Sequence, residues 1–130
     1  MKAMLTALLF FTAAPSFAQD CPVAFGTDGF LDQVSAAIRA TKSCEEGATL
    51  AESCALGASG DVMTAGTAET KCGQDFLKKL SAADRKTYTG LQQKCEAKYS
   101  PMQGTMYQAM NAFCHLSVAR LYSELNTPAE

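Results

Sequence analysis

Six cysteines constrain this chain more than any other feature, because a sequence of this length can bury only a modest core. They are Cys21, Cys44, Cys54, Cys72, Cys95 and Cys114. In a domain of this size that is exported, an even number of cysteines predicts three disulfides. Fifteen pairings are possible, and the sequence alone does not select one. The competing explanation is zinc binding, but the chain has no C-x-x-C pair and a single histidine, so we expect no metal site.

The start of the chain has the pattern of a secretory signal peptide. Lys2 gives a short positive segment, residues 5–14 form an apolar run, and small residues at 16 and 18 predict cleavage after Ala18. The apolar run is shorter than the roughly twenty residues that a membrane span needs. We therefore expect a signal peptide over 1–18, one mature domain over 19–130, and a periplasmic or secreted protein without membrane insertion.

The mature composition narrows the class of partner. Removal of Lys2 leaves ten basic residues against thirteen acidic ones, so the net charge becomes −3. A negative surface favours neither nucleic acid nor an anionic membrane. The remaining 112 residues are enough for one domain, and the chain contains no tryptophan.

Apolar residues that recur at steps of three and four predict an all-α fold, a disulfide-linked bundle of about five helices. The first three helices are expected over 29–42, 45–56 and 67–79, with Asp28 as the first N-cap and a loop over 57–61. Ser81 and Asp84 have the spacing of a capping box, which predicts a fourth helix that ends before Pro101.

The last predicted helix, over 105–125, carries the longest apolar stripe. We expect its buried side to consist of Met106, Met110, Phe113, Cys114, Ser117, Val118, Leu121 and Leu125. Gln108, Asn111, Arg120 and Glu124 fall on the opposite side. The five-residue link over 100–104 predicts a C-terminal helical hairpin. Since Cys95 and Cys114 both lie on its inward faces, their pairing is the favoured single disulfide.

The last 45 or so residues resemble the LprI-type family of secreted bacterial proteins, some of which inhibit lysozyme. The resemblance is carried by Cys95, the pair Gly104-Thr105, Cys114, Arg120 and Leu125. The family usually has a tryptophan shortly before the first of these cysteines, and here Tyr88 stands in that region. The resemblance implies a non-catalytic inhibitor whose partner is a lysozyme or another envelope or secreted protein.

An inhibitor of this kind must present a rigid element to a cleft with two carboxylates. The candidate partner-binding loop consists of Tyr99, Ser100, Met102, Gln103, Gly104, Thr105 and Tyr107. Tyrosines beside a glycine-containing loop suit an interface. The alternative is that Tyr99 and Tyr107 only cap the core of the hairpin. The loop over 57–61 is a second candidate.

Two other functions remain open. Met102, Met106 and Met110 rise at steps of four and could line a pocket for a small apolar ligand, although such a row is more often plain core. A structural envelope protein is the other possibility. No catalytic motif occurs, and His115 is expected to be an ordinary helix residue, so we expect a monomer that is not an enzyme and binds no cofactor.

Overall fold

The computed structural model of the protein describes residues 20–128, and these fold into helices without any strand. The helices are α1 (Phe30–Ala40), α2 (Cys44–Ser53), α3 (Asp61–Phe76), α4 (Ala82–Tyr99) and α5 (Thr105–Asn126). The predicted all-α bundle is therefore confirmed. None of these five helices is both long and apolar enough to cross a membrane. The predicted signal peptide lies outside the described residues.

Helix α3 lies at the centre of the fold. It packs against α1, α2 and α5, whereas the backbone of α4 lies beside α5 alone. The largest fully buried apolar side chains are Phe76, Ile38, Leu116 and Val34. Most other core positions are alanines and cysteines, which let the helix backbones approach closely. The core is thus small and tightly spaced, as the alanine-rich sequence leads one to expect.

Three disulfides link the elements: Cys21–Cys54, Cys44–Cys72 and Cys95–Cys114. The first joins the segment before α1 to the end of α2, the second joins α2 to α3, and the third joins α4 to α5. This third bridge is the pair that the sequence favours. Each bridge stabilises the fold by about 2–4 kcal/mol, chiefly through the unfolded chain. Disulfides of this number are typical of proteins that fold outside the cytoplasm.

The structure confirms the predicted start of α4 and corrects both ends of α1. The Ser81 hydroxyl accepts a hydrogen bond from the Asp84 amide (3.1 Å), so the capping box at the start of α4 is confirmed. The prediction of Asp28 as the first N-cap is wrong. Gly29 takes that position with φ at 68°, a left-handed conformation that glycine adopts at little cost. Helix α1 ends at Ala40, because Thr41 has an extended backbone.

Helix α3 begins six residues before the predicted start at Thr67, and α2 ends three residues before the predicted end at Leu56. Both differences have the same cause. The buried Asp61 carboxylate accepts hydrogen bonds from the amides of Leu56, Gly57 and Ala58. These amides are therefore unavailable to extend α2, and α3 starts at the aspartate itself.

The predicted buried stripe of α5 is wrong at five of its eight positions, while Phe113, Cys114 and Val118 are partly buried. The fully buried positions of α5 are Ala109, Leu116, Ala119 and Ser123, whereas Met106, Met110, Ser117, Leu121 and Leu125 are exposed. Leu116 and Ala119 of α5 belong to the same core cluster as Ala65 and Ala68 of α3, and the two helices pack closely. The larger apolar side chains would not fit there. They lie about a third of a turn around the helix, toward solvent.

Candidate functional site

The predicted partner-binding loop lines a concave surface at the α4–α5 turn, which we call the loop pocket. It has a volume of about 360 Å³ and is lined by Tyr99, Ser100, Met102, Gln103, Gly104, Tyr107, Gln108 and Asn111. Six of the seven predicted loop residues are therefore adjacent. The seventh, Thr105, begins α5 and does not contribute to the lining. Tyr99 and Tyr107 are both partly buried.

Hydrogen bonds to Glu96 fix the geometry of this turn. Its carboxylate accepts from the Ser100 hydroxyl (3.0 Å) and from the Asn111 amide (2.9 Å). The bond from Asn111 and, to a smaller extent, the bond from Ser100 lower the pKa of the Glu96 carboxyl below its usual range. Gly104 caps α5 with φ at 116°, where other residues would be strained. Together with the Cys95–Cys114 disulfide, these contacts make the turn a rigid element.

A larger apolar groove runs along the exposed side of α5, and we call it the methionine groove. Its volume is about 520 Å³, and its lining consists of Ala55, Gly57, Asp61, Tyr99, Met106, Ala109, Met110, Phe113, Cys114 and Ser117. Helix α5 forms one wall, and the segment between α2 and α3 forms the other. The groove is open to solvent, since Met106 and Met110 are 51% and 42% exposed.

The wall opposite α5 is rigid because of Asp61. The three amide hydrogen bonds that this carboxylate accepts hold residues 56–58 in one conformation. Gly57 completes the turn with φ at 67°. The sequence predicted a loop here but assigned no role to the aspartate. The signal available in the sequence was an acidic residue directly after a glycine-containing loop, because aspartate is enriched in the first turn of helices.

The structure brings the methionine row together at Tyr99. This tyrosine lines the loop pocket with Met102 and the methionine groove with Met106 and Met110. All three methionines are exposed, so the expectation that the row is plain core is wrong. The alternative that the sequence left open, an apolar pocket lined by methionine, matches the lining of the groove.

A third concave surface, between α3 and the α4–α5 hairpin, carries ionisable side chains. Its lining includes Glu69, Glu96 and His115. His115 Nε2 lies 3.0 Å from Glu96 Oε1, and the amide of Gln92 donates to Glu69 (3.2 Å) and to the Tyr88 hydroxyl (2.8 Å). Burial is the main cause of a raised pKa for Glu69, partly opposed by His115 and by the Gln92 bond.

These polar groups connect helices. Within residues 20–128, no three His, Cys, Asp or Glu side chains lie close enough to hold a metal ion. Arg120, one of the residues that carry the family resemblance, also links helices. Its guanidinium binds Glu45 and Glu52 of α2, and the hydrogen bond to Glu45 is the main cause of its raised pKa. The expectation that the protein is not an enzyme stays a prediction.

The two concave surfaces that meet at Tyr99 are therefore the candidate site: a rigid turn on one side and an apolar, methionine-lined groove on the other. Comparison with known proteins adds no further assignment to them. No protein-family model, no curated protein and no solved structure matches the chain.

Proposed function

We propose that the protein is an exported, non-catalytic binding protein that carries a small apolar ligand in the methionine groove. One observation carries this proposal: Met106 and Met110 are exposed beside Phe113 in a groove of about 520 Å³. Sites for small molecules are usually mostly apolar clefts of about 300–1,000 Å³. Methionine side chains are flexible and polarizable, so they adapt to apolar ligands of different shape.

The chemistry of the lining favours a single-chain amphiphile such as a fatty acid. Removal of its apolar chain and of the methionine side chains from water would supply most of the binding free energy. Tyr99 and Ser117 bring hydroxyl groups to the lining, and these can bind the polar end of such a molecule. The Asp61 hydrogen bonds and the Cys95–Cys114 disulfide fix the walls in advance, which reduces the entropy lost on binding.

The test is titration of the delipidated, oxidised protein with a fluorescent fatty acid. Met110→Glu places a charge in the groove, and Met63→Glu is the matched control, because Met63 is similarly exposed (47%) but lies on α3 and does not line the groove. We expect saturable binding that Met110→Glu abolishes and Met63→Glu retains. Equal binding by the two variants, or no saturable binding by the parent protein, would contradict the proposal.

Lysozyme inhibition is a second candidate, supported by the rigidity of the α4–α5 turn. Met102, Gln103 and Gly104 are exposed there, and the turn is fixed by Glu96 and by a disulfide. A fixed turn suits insertion into a glycosidase cleft, and a negative net charge would aid encounter with a basic enzyme.

A cell-wall lysis assay tests the second candidate. We expect stoichiometric inhibition by the oxidised protein, lost on reduction and weakened by Gln103→Ala. Gln33→Ala, at an exposed glutamine of α1 far along the chain from the turn, is the control that should retain inhibition. An absence of inhibition with several lysozyme types would contradict this candidate and leave the ligand carrier untouched.

A further inference from the structure

All four methionines of the described residues are unusually exposed. Met63, Met102, Met106 and Met110 keep between 42% and 51% of their surface in contact with solvent. Methionine is normally among the residues most often buried. Because this chain has few large apolar residues for its core, a group of exposed methionines at one place on the surface suggests a role other than packing.

Three of the four line the two concave surfaces that share Tyr99. Met106 and Met110 are one helical turn apart on α5, a spacing that places their β-carbons about 5–6 Å from each other. Met102 lies in the turn before α5. Tyr99 lines the loop pocket with Met102 and the methionine groove with the other two, so the three side chains occupy adjoining surfaces.

We propose that Met106 and Met110, together with Met102, form a binding site for a soft monovalent cation, Cu(I) or Ag(I). A thioether is a neutral, polarizable ligand, and such sulfur ligands select Cu(I) over the hard cations that prefer oxygen. Each methionine side chain has three rotatable bonds, so the sulfur atoms of neighbouring turns can converge on one ion. This site shares Met106 and Met110 with the methionine groove, but binding of a cation there does not require that the groove bind an apolar ligand.

The chemistry of the thioether ligands predicts how cation binding depends on pH. A thioether carries no proton that must be released, so binding at the three methionines should be constant across the range in which histidine titrates. Binding at the polar surface around Glu69, Glu96 and His115 would weaken on acidification instead. The pH profile therefore separates the thioether site from the other surface that could attract a cation.

The experiment uses silver first, because Ag(I) needs no reductant and leaves the three disulfides intact. Silver nitrate is titrated into the oxidised protein in chloride-free buffer, and the methionine methyl groups are followed by carbon–proton NMR. We expect the methyl signals of Met102, Met106 and Met110 to shift with one ion per chain. The signal of Met63, which lies on α3, should not move.

Leucine substitutions separate the thioether from its apolar character. The double variant Met106→Leu/Met110→Leu removes both thioethers but keeps apolar side chains of similar volume, so it should fold as the parent does and lose the silver site. Met63→Leu is the matched control and should bind silver as the parent does. A second experiment titrates Cu(I) against a competing chelator, with ascorbate and without oxygen so that the copper stays reduced. The parent and the variants should rank in the same order of affinity for Cu(I) as for silver.

Three results of the silver titration at one pH would overturn the proposal. They are retention of silver binding by the double leucine variant, equal shifts of all four methyl signals, and no binding by the parent protein. An affinity that falls on acidification would also overturn it, since that assigns the ion to carboxylate or imidazole ligands. Failure of the fatty-acid assay alone would leave the silver result unaffected, so the two proposals fail separately.

Discussion

The carboxylate of Asp61 accepts hydrogen bonds from three backbone amides that would otherwise bind water. It is almost fully buried, and it accepts from Leu56 and Gly57 at 2.8 Å and from Ala58 at 3.3 Å. Its position as the first residue of α3 also places a negative charge at the positive end of the helix dipole. One residue therefore ends α2, begins α3 and fixes a wall of the methionine groove.

The importance of Asp61 is measurable by a substitution at this residue. Asp61→Ala leaves three amides without their acceptor, so the free energy of unfolding should fall by about 2–4 kcal/mol. Asp28→Ala is the control. Asp28 is exposed, so its removal should change the unfolding free energy by less than about 0.5 kcal/mol. Urea denaturation of the three proteins gives both values, and similar values for the two variants would show that the carboxylate is dispensable.

Glu69 and Glu96 should make opposite contributions to the pH dependence of stability. Burial raises the pKa of Glu69, so the native state favours the protonated acid and carries a cost for its charge at neutral pH. Glu69→Gln should therefore be more stable than the parent at neutral pH. That advantage should shrink as the pH falls through the raised pKa and the parent takes up its proton.

Glu96→Gln is the partner experiment with the opposite sign. Hydrogen bonds from Asn111 and Ser100 lower the pKa of Glu96, so its charged form contributes stability that is present at neutral pH. The variant should be less stable than the parent at neutral pH, and the difference should vanish as the pH falls through the lowered pKa. Thermal unfolding over a pH series measures both effects. Differences of the same sign would contradict the assignment.

On the scale of elements, α5 explains both the success and the failure of sequence reasoning. Its bounds were predicted to within one residue, because Gly104 and the preceding proline turn give clear signals. Its orientation was not predicted. The helix has two apolar sides, one of small residues such as Ala109 and Ala119 and one of large residues such as Met110 and Leu121. A search for the most hydrophobic stripe selects the large side.

The small side is buried because close approach of two helices requires small side chains at their contact. That requirement depends on α3, whose Ala65 and Ala68 lie far from α5 in the sequence. The missed start of α3 has a similar origin, since glycines near Asp61 lower the helix propensity that the sequence displays. The capping box of α4 was predicted correctly, because its donor and acceptor lie within four residues.

Two leucines of α5 test which side is buried. Leu116 is 1% exposed and Leu121 is 47% exposed, although they lie only five residues apart on one helix. Leu116→Ala should lower the free energy of unfolding by about 2–5 kcal/mol, because it leaves a cavity between α5 and the core. Leu121→Ala should change it by about 0.5 kcal/mol or less. Chemical denaturation decides between the two faces, and the reverse order would restore the stripe predicted from sequence.

On the scale of the whole molecule, the fold divides into a core and an attached helix. Residues of α1, α2, α3 and α5 build the buried cluster, whereas Cys95 is the one fully buried residue of α4. Besides this disulfide, α4 contributes Tyr88, which packs against Phe76 and Tyr122 with ring centroids 5.2 and 5.1 Å apart. Two of the disulfides therefore differ in what they stabilise: Cys44–Cys72 lies within the core, and Cys95–Cys114 links α4 to α5.

Removal of these two disulfides should produce different responses in native-state hydrogen exchange. Cys95→Ala/Cys114→Ala should release α4, so that its amides exchange faster while those of α1 and α3 keep most of their protection, because the buried cluster does not depend on α4. Cys44→Ala/Cys72→Ala should instead lower protection throughout, with a loss of about 2–5 kcal/mol in unfolding free energy.

Uniform loss of protection in the first variant would show that α4 is an integral part of the core. Retained protection of α4 would show that the Tyr88 cluster alone holds it in place. In the expected case, the fluorescent fatty acid should also bind this variant more weakly, since Tyr99 at the end of α4 lines the methionine groove.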